Sequence, residues 1–276
     1  MNISILGCGW LGFPLAVQLT HHKHQVKGST TTPDKMKRLR QEKILPYLLK
    51  LTPELENPHE VQSFWDSDTL VLNVPPGRGR DNMVDYHLRQ IQSVASYAAQ
   101  SSINFVLFVS STSVYPKFPG VVTEKDVVPG KAARSSGNAL IQAEQLLQEQ
   151  ENFATTILRL GGLYGGDRHP ARYLAGRKNL GDPAAPVNLI HRDDCLQIIQ
   201  QIIEENITGE VFNAVADSHP ARRQYYTRTA KALGLEPPTF SDENEDKNYK
   251  IVSNQKLRQR LSYSFSHADL MASWPL

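Results

Sequence analysis

The chain has no apolar run long enough to cross a bilayer, which sets aside a spanning membrane protein. Only two cysteines occur, Cys8 and Cys195, too few for a disulfide framework or a cysteine-rich zinc module, so no metal site is expected. A reducing, cytoplasmic setting is the expectation. The net charge is +2, so no excess of one sign draws the protein to nucleic acid or to an anionic membrane. No basic residue precedes the first apolar run, which is therefore not read as a secretory leader. There is no long repeat and no low-complexity tract. What remains is a globular composition, 40% hydrophobic and 21% charged over 276 residues, enough for one large or two small domains.

The stretch Ile3-Ser-Ile-Leu-Gly-Cys-Gly-Trp-Leu-Gly12 organises the chain. Ile3, Ile5 and Leu6 read as a buried strand, and residues 13–22 read as a helix. Between them Gly7 permits a tight turn, Gly9 lets a backbone approach a ligand, and Gly12 lets the helix pack close to the strand. The helix start then offers free N–H groups and a positive dipole end to phosphates. This predicts a dinucleotide held by Gly7, Cys8, Gly9, Trp10, Leu11 and Gly12.

Residues 25–29 read as a second strand. An NAD-preferring unit has Asp or Glu near the end of that strand for the ribose hydroxyls. Here Gly28-Ser-Thr-Thr-Thr-Pro33 stands instead, with Lys35 and Arg38 close by. The lack of a carboxylate favours NADP over NAD, with Ser29, Thr30, Thr31, Lys35 and Arg38 as contacts. A local reading coexists with it: Thr32 caps a helix whose first residue is Pro33. Residues 46–51, 69–74 and 104–109 read as three more strands, and 85–101 as a helix with one buried face. The 69–74 strand runs into Val74, Pro75 and Pro76, where the dinucleotide should lie. Arg78 and Arg80 follow, as phosphate contacts or as a solvated loop. Alternating strands and helices give a parallel sheet covered on both faces.

Val109-Ser-Ser-Thr-Ser-Val-Tyr115, taken with the opening motif, resembles the extended short-chain dehydrogenase/reductase (SDR) family, the nucleotide-sugar epimerases and dehydratases. Leu158-Arg-Leu-Gly-Gly-Leu-Tyr-Gly165 and Val187-Asn-Leu-Ile-His-Arg-Asp-Asp194 resemble later segments of that family in the same order. The likeness runs over residues 1–215, and the chain looks most similar to the atypical branch of YeeZ type. The resemblance implies a doubly wound Rossmann α/β fold, with residues 1–160 as the NAD(P)-binding domain. Residues 161–276 would form a smaller α/β substrate-facing part with segments returning to the Rossmann sheet. It also implies a homodimer and a small-molecule substrate. The family's chemistry uses a Ser or Thr, a Tyr, and a Lys four residues after that Tyr. Ser111 falls at the Ser/Thr position, but Ser136 and Leu140 stand where Tyr and Lys belong, and an Asn position falls near His87. Tyr115 is the best substitute acid this leaves, although the resemblance implies a substrate contact at its position and so favours a binding role.

In the second half, residues 153–158 and 210–213 read as strands, and 193–206 and 223–233 as helices, the latter closed by Gly234. Residues 250–252 read as a last strand, and Asn254 caps a helix over 255–261. Residues 241–247 read as an acidic loop, and Trp274 as packing on the body. His169-Pro-Ala-Arg172 recurs as His219-Pro-Ala-Arg222. One reading is two similar helix starts with Pro at the first position. The other is convergence of Arg168, His169, Arg172, Arg222 and Arg223 on an anionic substrate group. Three functions remain open: an NADP(H)-dependent oxidoreductase or epimerase acting on a small polar or anionic, sugar-like substrate, a non-catalytic dinucleotide-binding regulator, and a fold with an incidental site.

Overall fold

The computed structural model describes residues 1–56, 58–77, 81–241 and 249–272. Arg78, Arg80, most of the 241–247 loop and Trp274 lie outside them. The central sheet has seven strands in the order β10-β7-β5-β4-β1-β2-β3, all parallel. Its strands are β1 (Asn2–Leu6), β2 (Gln25–Thr30), β3 (Leu45–Leu48), β4 (Thr69–Leu72), β5 (Phe105–Ser111), β7 (Ala154–Leu160) and β10 (Val211–Ala214). The strand order reverses direction between β1 and β4. At that switch point the connections leave to opposite sides and open a crevice beyond the carboxyl ends of the strands. This is the Rossmann arrangement, and β4 reads as a mainly apolar run because all four of its residues are buried.

Helices α1 (Gly12–His21) and α5 (Arg192–Glu204) bury apolar residues in one core with Ile3, Ile5 and Phe212. On the other core, α3 (Met83–Ala99) and α4 (Ser135–Gln148) pack with Leu70, Leu72, Val106 and Phe108. α2 (Pro33–Gln41) follows β2. Thr32 does stand at its N-cap with Pro33 first, but the Thr32 side chain makes no cap bond. Its N–H instead donates to Thr30 Oγ1 at 3.1 Å. Among the described residues, no helix is long and apolar enough to cross a membrane.

Three short strands escaped the sequence reading, each only three residues long. β6 (Gly120–Val122) pairs in parallel with β11 (Lys250–Val252), and β8 (Gly162–Tyr164) pairs with β9 (Leu189–His191). The second His-Pro-Ala-Arg also differs from expectation. Pro170 opens a 3₁₀ turn over Pro170–Tyr173, but α6 (Arg222–Ala232) begins two residues after Pro220, because Ala221 bridges to Pro186 before the helix starts. Asn254 stands at the N-cap of α7 (Gln255–Leu261). Its side chain goes instead to Val215 O and Asp217 Oδ1, at 2.9 and 2.7 Å.

Candidate functional site

The turn after β1 is built by three contacts. Gly7 has φ +107°, a conformation that side chains rarely adopt, and a Cβ there would lie 2.5 Å from Asn73 O. Gly7 N–H donates to Ser29 Oγ at 2.8 Å, and Asn73 Nδ2 donates to Gly7 O at 3.1 Å. Gly12 is as confined, since its Cβ would stand 2.2 Å from Gly7 O. Gly9 differs: beyond its own chain neighbours, nothing comes within 4 Å of the place its Cβ would occupy, and its φ is not positive. The fold therefore requires Gly7 and Gly12, while the open space at Gly9 is what an incoming phosphate needs.

The N–H groups of Trp10, Leu11 and Gly12 have no acceptor among the described residues. α1 has no side-chain cap and no acid in its first turn. Orphan donors and a positive dipole end thus face the crevice without an internal anion, which is the chemistry of a phosphate cradle. Cys8 packs against Gly28, and burial pushes its thiol up to about 12, so it is no nucleophile. Ser29 is buried, with its hydroxyl accepting inside the turn, and Thr30 binds back to Thr32. Thr31, Lys35 and Arg38 are exposed. A cavity of about 790 Å³ joins Cys8, Gly9 and Trp10 to Lys35 and Arg38, and also to Asp167 and Arg192. Val74 and Pro76 are half-buried and Pro75 is exposed, beyond the end of β4.

Tyr115 is fully buried. Its hydroxyl donates to Asn213 Oδ1 at 2.7 Å and accepts from Arg159 Nη1 at 3.1 Å. Burial, the largest cause, pushes its pKa up to about 12 against the opposing pull of Arg159. Arg159 is itself buried and paired with Glu144 at 2.6 Å, and Ser110 donates to the same carboxylate at 2.5 Å. Tyr115 thus belongs to a closed internal network. Ser111 is half-buried and its Oγ accepts the Ser113 N–H at 3.2 Å. α4 presses its first turn onto this segment, since a Cβ on Gly137 would meet Ser113 O at 2.2 Å. Ser136, the residue before Gly137 in that turn, is half-buried. Leu140 is 4% exposed and sits in the apolar core, where a lysine would be stranded.

The basic residues of the second half take separate places. Arg168 lies over the Trp10 ring at 4.3 Å, and the neighbouring Asp167 accepts from Trp10 Nε1 at 2.6 Å. Arg222 donates to Gly181 O at 2.7 Å and Arg223 to Ser241 O at 2.8 Å, so both fasten loops. Arg172 is exposed, while His169 is buried and its Nδ1 accepts from Ala171 N–H at 3.3 Å. The structure therefore brings Arg168 to the glycine turn and leaves Arg222 and Arg223 on backbone carbonyls. His191, Asp193 and His267 hold one ligand atom each within 4.8 Å of one another. His191 Nδ1 already accepts from the Asp193 N–H, the two imidazole centroids lie 3.7 Å apart with the rings tilted by 31°, and the positive end of α5 disfavours a cation there.

Burial, aided by Arg172, lowers the His169 pKa from 6.5 to about 4. The unfolded chain takes up this proton near pH 6.5 and the folded chain only near 4, so stability falls as pH drops across that window. Urea midpoints measured from pH 7 to 4 should decline, and His169→Gln should flatten the decline. An unchanged slope would place the dependence on other groups.

Sequence reasoning missed Asn73, Asp167 and Arg192. Asn73 left a faint signal, a lone amide at the end of an apolar strand. Arg192 left another, a cation at the first position of a helix, where the dipole repels it.

No protein-family model matches the chain. The protein YeeZ of Escherichia coli K12 is 34% identical over 269 residues, covering 97% of each chain, and YeeZ of strain O157:H7 matches equally. The chain belongs to the YeeZ family. Solved structures of SDR and epimerase proteins share the fold of this YeeZ-family chain. The UDP-Glc/GlcNAc 4-epimerase of Campylobacter jejuni superposes with a TM-score of 0.79 at 18% identity, over 98% of this chain and 96% of that one. An SDR-superfamily protein from Agrobacterium tumefaciens with bound NAD superposes with a TM-score of 0.78 at 16% identity, over 96% and 93%. At these identities the likeness is one of fold.

Proposed function

We propose that this YeeZ-family chain binds NADP(H) at the glycine turn and uses it as an oxidoreductase or epimerase on a small polar or anionic, sugar-like substrate. The observation that carries the reading is the open Gly9 position beside the three unpaired N–H groups of Trp10–Gly12. The fold has no use for a glycine at that point, whereas a pyrophosphate does. Lys35 and Arg38 on the same cavity, with no carboxylate closing β2, support the 2′-phosphorylated form. The bound nicotinamide would supply the hydride step. The chain would supply the pyrophosphate cradle, and Ser111 and Ser136 as polar groups near the carboxyl end of β5. A cytoplasmic location fits this chemistry.

The second reading is a dinucleotide-binding regulator without turnover. Leu140 in the core and Tyr115 inside a closed network favour it, because neither supplies a proton relay. Titration of cofactor-free protein with NADPH and NADH, followed by nucleotide fluorescence, tests the shared core of both readings. Saturable NADPH binding, with NADH weaker by roughly tenfold or more, is the expected result. Binding of neither nucleotide would end both readings. Substrate-dependent NADPH oxidation then separates them.

A further inference from the structure

Arg192, the first residue of α5, reaches from the second half of the chain into the site built by the first. Its guanidinium lies over the Trp10 ring at 5.2 Å and lines the cavity shared by Gly9, Lys35 and Arg38. For stability alone it is badly placed. A cation at a helix N-terminus opposes the dipole. Its Nε is buried with no hydrogen-bond partner among the described residues. The Asp193 carboxylate stands 3.8 Å away, beyond hydrogen-bond reach. The backbone nevertheless makes room for it, since a Cβ on Gly166 would lie 2.5 Å from Arg192 Nη1. The cavity also carries the carboxylates of Glu42 and Asp167, the latter engaged by Trp10 Nε1, but a buried Nε without an acceptor beside Lys35 and Arg38 fits an anionic ligand.

Resting on the NADP(H) reading, we infer that Arg192 is a specificity-determining residue, which completes with Lys35 and Arg38 a pocket for the ribose 2′-phosphate. With a pyrophosphate on the N–H groups at the start of α1, the residues available to a 2′-phosphate would be those of the cavity that joins the turn to α2. Lys35 and Arg38 are exposed, and solvent screens what they offer. Arg192 is only a quarter exposed, and its planar fork suits a phosphate. Trp10, tethered by Asp167, provides the face on which that fork stacks.

The test compares wild type, Arg192→Met and Arg192→Lys, using NADPH, NADH, 2′,5′-ADP and 5′-AMP as probes in calorimetry. In Arg192→Met, the Kd for NADPH and 2′,5′-ADP should rise roughly 10- to 100-fold, while NADH and 5′-AMP change by less than about twofold. Arg192→Lys should recover part of the loss. Retained NADH binding shows that the variant is folded. An equal change for phosphorylated and unphosphorylated probes, or no change, overturns the inference while the cofactor reading stands. Wild type that binds none of the probes overturns both.

Discussion

Gly12→Ala should destabilise the fold by about 3 kcal/mol, lowering the thermal midpoint by roughly 6–12 °C. The added methyl would lie 2.2 Å from Gly7 O and 3.2 Å from Asn73 Nδ2, and neither can withdraw. Gly7 O is backbone inside a turn that Asn73 holds from the other side. Gly9→Ala should behave in the opposite way. Its methyl enters open space, so the melting curve should stay within about 0.5 kcal/mol of wild type. The same methyl stands where a phosphate must approach, so NADPH affinity should drop at least roughly tenfold. The pair separates a glycine required by folding from one required by a ligand. Normal NADPH binding in a folded Gly9→Ala protein would remove the main support for the cradle.

Arg159→Met should cost about 3–5 kcal/mol, because it leaves Glu144 buried and charged without its partner. Glu144 is 2% exposed and takes bonds from Arg159 Nε and Nη2 at 3.1 and 2.6 Å. The same arginine also donates to Tyr115 Oη and to Glu124 O. The double variant Glu144→Met/Arg159→Met removes both charges and should recover part of the loss, since an apolar pair of similar volume replaces an ion pair at low cost. Urea unfolding of the two single variants and the double one measures the coupling. Additive losses would mean that the pair is not energetically linked.

The sheet and the glycine turn were legible because their signals are local. Ile3, Ile5 and Leu6 run straight into Gly7, Gly9 and Gly12, and β4 and β5 are apolar runs between helical periods. The division of labour inside the site was not legible. Ser29 reads as a hydroxyl for a 2′-phosphate, yet its oxygen is taken by Gly7 N–H, a partner 22 residues away. Tyr115 reads as an available acid, yet its partners Asn213 and Arg159 arrive from other strands. Arg222 and Arg223 read as anion ligands, yet carbonyls of distant loops claim them. In each case the deciding contact is a tertiary hydrogen bond, which leaves no periodicity in the chain.

The pairing of β6 with β11 also orders events in time. Lys250 Nζ donates to Tyr115 O at 2.9 Å across 135 residues, and β11 lies against β6 in parallel. Strands β1, β2 and β4, with the turn they carry, need only the first 73 residues. The knot around Tyr115 closes only after residue 250 has left the ribosome. Contacts of such long separation form late, because the intervening chain must be ordered first. During synthesis, therefore, the glycine turn can assemble while the network at the end of β5 is still open, and the segment around residue 250 acts as its fastener.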